Sequence, residues 1–149
     1  MVSTLTLLLV RAVVVASSAA EDCDASVRLM CGSSTIDEAQ CSNLDCCWSG
    51  AKECYAGRQR IALVRMFDAL NGQAWSDSLG WNASDTSYCS WNNQKTGAAF
   101  IGVTCVEQES RPLHDVSRII LASNNVAGQL PEEMAHLTAL RALNLYAAR

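Results

Sequence analysis

Eight cysteines carry the clearest chemistry in this chain: Cys23, Cys31, Cys41, Cys46, Cys47, Cys54, Cys89 and Cys105. Their number is even, and such sets persist as disulfides in oxidising compartments. Six of them lie between Cys23 and Cys54. So short a stretch cannot bury an adequate core, and cross-links must supply its stability. Six cysteines allow fifteen pairings, and spacing alone does not choose among them. The adjacent Cys46 and Cys47 narrow the choice, because neighbouring side chains point apart and reach different partners. Zinc would need paired C-x₂₋₄-C knuckles or nearby histidines, and this cluster has neither.

Other reactive residue types are sparse. His114 and His136 are the only histidines. No Ser-His-Asp or Cys-His arrangement and no glycine-rich phosphate loop is signalled around them, so both are expected on the surface. Glu132 and Glu133 follow Pro131 and read as solvated charge at a helix start. With every cysteine assigned to a disulfide, none is left as a nucleophile. The expectation is a chain without catalytic residues, metal or cofactor. One modification signal is present: Asn82-Ala83-Ser84 is an N-glycosylation sequon, which implies an exposed site in a secreted protein.

The segments that must position these residues begin with an apolar run, Leu5 to Val15, followed by Ser17, Ser18, Ala19 and Ala20. Small residues at 18 and 20 suit signal peptidase, with a cut after Ala20. The run is too short, and too interrupted by Arg11, to span a membrane. Half of the chain is hydrophobic and only 17% is charged, a globular balance rather than a disordered one. The formal charge is −4. Residues 58–149 hold eight acids and eight bases. With no basic patch, nucleic acid and anionic membrane are excluded as expected partners.

Arg28-x-x-Cys31-Gly32, Ile36, Gln40-Cys41, Cys46-Cys47-Trp48 and Cys54-Tyr55 together resemble the trefoil (P-type) domain. The resemblance covers about Cys23 to Tyr55. It implies bonds from Cys23 to Cys47, Cys31 to Cys46 and Cys41 to Cys54, in a three-looped fold with little secondary structure. The Cys47–Cys54 loop is shorter than is usual in the family and lacks its Val-Pro-Trp stretch, and Ser49 stands where an Asp normally pairs with the Arg. Trefoil clefts bind carbohydrate, so Trp48 and Tyr55 are candidate sugar-stacking rings. Their other reading is as covers for the disulfides, since aromatic rings supply most of the burial in such small folds.

Beyond the module, Ile61, Leu63, Val64, Met66, Phe67 and Leu70 recur at helical spacing. Asn71-Gly72 is the stop signal, with Gly72 suited to the left-handed cap. Ala62-Leu63-Val64, Asn71-Gly72-x-x-Trp75, Trp81, Cys89-x-Trp91 and Gly102-Val103-x-Cys105 resemble the N-terminal cap of plant-type leucine-rich-repeat proteins. That resemblance implies a Cys89–Cys105 disulfide. Asn92 to Ile101 exceeds the usual spacing and reads as an inserted, exposed loop.

Leu113, Val116, Ile119 and Leu121 recur as Leu137, Leu140, Leu143 and Leu145, each 24 residues on. Asn124, Val126, Gly128, Leu130 and Pro131 lie between them. The pattern resembles the plant-type leucine-rich repeat. Ile119 and Leu121 would point inward from a short strand. Asn124 would turn the chain and bond backbone groups at the bend, Gly128 would allow a tight turn, and Met134, Leu137 and Leu140 would line the return. About one and a half repeats are present, against roughly three for a stable stack, which predicts a fragment or truncated product of a longer repeat protein.

The expected fold class is therefore a small disulfide-rich trefoil module plus the start of an α/β leucine-rich-repeat solenoid with a helical N-terminal cap. Expected boundaries are residues 1–20 for the signal peptide, 21–57 for the module, 58–112 for the cap and 113–149 for the repeats. The expected function is ligand recognition by a secreted or cell-surface protein, itself without a membrane span. A protein or peptide, or a glycan, would meet Arg118, Ile120 and Ser123 on one strand and Asn144 and Tyr146 on the next, a face that repeats leave concave. The competing expectations are a lectin-like protein acting through the trefoil module, and the non-catalytic N-terminal region of a secreted enzyme.

Overall fold

The structure, a computed structural model, describes Cys23 and residues 29–49, 51–91, 94–96, 99–107 and 114–146. The signal segment, Arg28, Leu113, Ala147 and Ala148 lie outside the described residues.

The first part is held by three disulfides, Cys23–Cys47, Cys31–Cys46 and Cys41–Cys54, the pairs that the trefoil resemblance implies. Its secondary structure is slight. Helix α1 spans Glu38–Asn43 and starts in a capping box, with the Asp37 carboxylate accepting from the Gln40 N–H and the Gln40 side chain accepting from the Asp37 N–H. Strands β1 (Cys46–Trp48) and β2 (Cys54–Ala56) pair antiparallel, Cys47 opposite Tyr55. The small core consists of Cys31, Cys41, Cys46 and Cys54 with Ala56 and Ile61, so covalent sulfur takes the place of aliphatic side chains.

Helix α2 (Arg58–Ala69) matches the apolar periodicity. It ends one residue earlier in its geometry than the stop signal suggests: Asn71, not Gly72, takes the left-handed conformation (φ 56°). Gly72 is needed for a different reason. A Cβ there would lie 2.2 Å from the Phe67 ring, so its absence lets the chain fold back over that ring. Phe67, Trp75, Trp81 and Trp91 then pack with centroids 5.0–5.5 Å apart along the series Phe67–Trp75, Trp75–Trp81 and Trp81–Trp91, in the edge and tilted geometries that aromatic rings favour.

The second sheet has the order β3 (Gln94–Thr96), β4 (Ala99–Val106), β5 (Asp115–Ile120), β6 (Ala142–Asn144). The stretch read as an exposed loop, Asn92 to Ile101, instead supplies β3 and the start of β4, paired antiparallel with Thr96 opposite Ala99. Pairing satisfies backbone groups that a loop would leave to water. The β4–β5 ladder is antiparallel and slips between Thr104 and Cys105. Ser117 is the extra residue of this bulge, and its hydroxyl donates to the Thr104 carbonyl at 3.0 Å. The Cys89–Cys105 disulfide ties a 3₁₀ turn at Tyr88–Ser90 to β4.

Strands β5 and β6 run parallel, with Arg118 opposite Ala142, Ile119 opposite Leu143 and Ile120 opposite Asn144. Each pair is separated by the 24 residues of the sequence period. Val103, Val116, Ile119, Leu121 and Leu137 join Leu63, Met66, Phe67 and the tryptophans in the larger core, with Met134 and Leu140 packed against it. Asn124 is buried, but its partners are not at its own bend. It accepts from the Asp77 N–H at 2.7 Å and donates to the Asp77 carbonyl at 2.8 Å, clasping the loop that follows Trp75. At Gly128 (φ +139°) a Cβ would fall 2.0 Å from the Ala69 carbonyl oxygen. That glycine therefore permits close approach to the end of α2 as well as the turn.

Among the described residues the architecture is thus disulfide-rich, with two short α-helices and two small sheets. Among the described residues one parallel step is present and no stack of coils. No helix among them is long and apolar enough to cross a membrane.

Candidate functional site

The exposed face of the second sheet follows from strand alternation. Ile119 and Leu121 point into the core, so Arg118 and Ile120 point away from it: Arg118 is exposed and Ile120 half-buried. Parallel pairing sets Asn144 beside Ile120, and antiparallel pairing sets Thr104 beside Arg118 and Gly102 beside Ile120. Ser123 (φ 58°) donates its N–H to the Tyr146 carbonyl at 2.6 Å, and the Asn144 side chain accepts from the Tyr146 N–H at 3.0 Å. The Tyr146 side chain itself is largely exposed, at 70%. The five residues expected on this face therefore fall in one neighbourhood, three of them on paired strands.

The two rings of the disulfide module differ. Trp48 is half-buried against the small core. Tyr55 is buried, and its hydroxyl donates to the Cys23 carbonyl at 3.1 Å, so it acts as a cover for the disulfides rather than as an open ring face. Asn82 is exposed in a turn (φ 59°) and lines a cleft between the module and α2.

Composition and periodicity missed the polar seam that joins the module to the rest. Arg60 lies between apolar positions of α2, yet it is 2% exposed. Its Nη1 donates to the Ala83 carbonyl at 2.8 Å, and its Nη2 donates to the Leu44 carbonyl at 2.7 Å and to the Thr86 carbonyl. The guanidinium also lies over Trp91 and Tyr88, 5.2 and 5.7 Å from the centroids. Desolvation pushes its pKa below the usual arginine value, while Tyr88, Asp45 and Asp85 act the other way. Beside it Gln59, also buried, donates to Asp115 at 2.7 Å and accepts from the Val116 N–H at 2.9 Å.

Asp45 completes the seam. This buried carboxylate accepts from the Ser87 hydroxyl and lies 2.6 Å from His114 Nδ1. His114 is therefore not a plain surface residue: its ring is part-exposed but anchored to a buried acid. Asp45 is the central member, and Ser87 bonds it rather than the imidazole. Activation of a serine requires contact between hydroxyl and base, and this order does not provide it. Asp45, His114 and Cys89 also lie close enough together to invite a metal, but Cys89 is half of a disulfide and has no thiolate to offer. The same holds for Cys31, Cys46 and Cys54. A local sequence signal for this seam does not exist, because its hydrogen-bonded partners are 16 to 69 residues apart.

Comparison with known protein families, with curated proteins and with solved structures finds no match to this chain.

Proposed function

We propose that this chain is an extracellular binding protein in which a trefoil-like disulfide module precedes the capped start of a leucine-rich-repeat surface. Its ligand would be a protein or peptide taken on the sheet face of Arg118, Ile120, Ser123, Asn144 and Tyr146, with no catalytic step. The observation that carries this reading is the β5–β6 register. Parallel strands paired at the sequence period set equivalent outward positions side by side, which is how repeat proteins build a recognition surface. The four disulfides with no free cysteine among the described residues support an oxidising compartment.

The test is selection of a displayed peptide library against the full chain, followed by the double variant Arg118→Glu/Ile120→Glu. Selected peptides should bind that variant at least ~10-fold more weakly, about 1.4 kcal/mol. Unchanged affinity would place the ligand elsewhere. A lectin-like reading is favoured by one observation, the half-exposed Trp48 beside the disulfides. A glycan array probed with the full chain and with Trp48→Ala separates it from the first: a sugar signal lost in that variant supports the module as the binding part.

A further inference from the structure

Leu29 and Met30 are exposed at 39% and 51%, an unusual position for side chains next to a disulfide core. Leu29, with Ile61 and Val64 of α2, forms the apolar part of a cleft of about 270 Å³, and Met30 lines its smaller neighbour, which shares Leu29, Val64 and Asn82 with it. Arg65 and Asp68 also line the larger cleft. The volume is just below the roughly 300–1,000 Å³ of pockets for drug-sized ligands, a fit for one sugar ring. Asn82 lines both parts of the cleft, and it opens the sequon Asn82-Ala83-Ser84.

The sequon is held in place on both sides of the seam. The Ala83 carbonyl accepts from Arg60 at 2.8 Å, and the Ser84 carbonyl accepts from the Gly32 N–H at 2.7 Å. A group attached at Asn82 thus starts from a fixed point at the rim. N-acetylglucosamine has an apolar C–H face and an acetyl methyl for Leu29, Met30 and Val64, and hydroxyls for Arg65 and Asp68.

We propose that Asn82 carries an N-linked glycan whose first N-acetylglucosamine seats in this cleft and seals the junction between the disulfide module and α2. In the attachment step the Asn82 amide nitrogen forms a bond to C1 of the sugar of a lipid-diphosphate-linked oligosaccharide. The C1–O bond to the diphosphate breaks, the lipid diphosphate leaves, and the amide gives up one proton. The inference rests on the extracellular reading above, because that donor belongs to the secretory route.

The experiment expresses the full chain in a eukaryotic secretory host and maps Asn82 by mass spectrometry. The folded glycoprotein is then divided into an intact form, a form trimmed to one N-acetylglucosamine, and a form stripped completely. Met30 oxidation by peroxide is followed in each, with the fully buried Met66 as internal reference. Thioether oxidation follows exposure, so Met30 should oxidise at least ~3-fold more slowly in the intact and one-sugar forms than in the stripped form. Ser84→Ala, which abolishes the acceptor but keeps Asn82, should match the stripped rate. A secreted chain with a bare Asn82, or equal Met30 rates in all forms, overturns this inference and leaves the extracellular reading standing. One-sugar protein that oxidises like stripped protein overturns the seating of the first sugar. A chain retained inside the cell with free thiols overturns both.

Discussion

Arg60 is the residue on which the junction depends most. A guanidinium that has lost nearly all its water is costly unless its donors find acceptors; here three carbonyls from two separate segments accept from the two Nη groups, while the buried Nε has no hydrogen-bond partner. Replacing it removes the donor and also strands Leu44, Ala83 and Thr86 carbonyls. The variant Arg60→Met keeps the length and the contact with Trp91, so its loss reports on those hydrogen bonds. We expect about 3 kcal/mol lower stability in urea unfolding, since hydrogen bonds to charged groups contribute ~1.5–3 kcal/mol each and stranded acceptors add a penalty. A change inside the ±0.5 kcal/mol typical of surface substitutions would show that water replaces the guanidinium without cost.

At the scale of elements, β4 is the strand that the second sheet is built around. It pairs with β3 on one side and β5 on the other, and Cys105 fastens it to the Tyr88–Ser90 turn. That disulfide closes a 16-residue separation, for which the loss of unfolded-state entropy corresponds to about 3 kcal/mol. The double variant Cys89→Ser/Cys105→Ser should lose roughly that amount in denaturant midpoint analysis, provided that the slope is unchanged. Full stability in the double variant would mean that the aromatic cluster under β4 holds the turn without help. Helix α2, the 24-residue period and the sulfur-rich module were readable from apolar spacing and cysteine positions. The β3–β4 hairpin was not: Asn92 to Ile101 has no strict alternation, and its pairing depends on the neighbouring strand.

Among the described residues two cores share one helix. α2 gives Ile61 to the cystine core and Ala62, Leu63, Met66 and Phe67 to the larger one. The first core is nearly all sulfur; the second is aliphatic and aromatic. Reduction should therefore act unevenly. In hydrogen exchange after thiol treatment, amides of residues 31–56 should lose protection while those of 62–67 and 116–121 keep most of theirs. Simultaneous loss in both would mean that the Arg60–Asp45 seam couples the two into one cooperative unit.

Cysteine count, hydrophobic period and the sequon are local or periodic properties, and each is legible along the chain: a disulfide-rich first part, a helix carrying Ile61 to Leu70, strands one period apart, an accessible asparagine. The disulfide partners could be named only through resemblance, since fifteen pairings satisfy the same spacing. Burial of Arg60, the Ser87–Asp45–His114 chain, the grip of Asn124 on Asp77 and the reason for Gly72 and Gly128 came from the folded arrangement alone. They depend on which segments meet across 5 to 69 residues, and a polar side chain in a helix reads the same in sequence whether it faces water or three carbonyls.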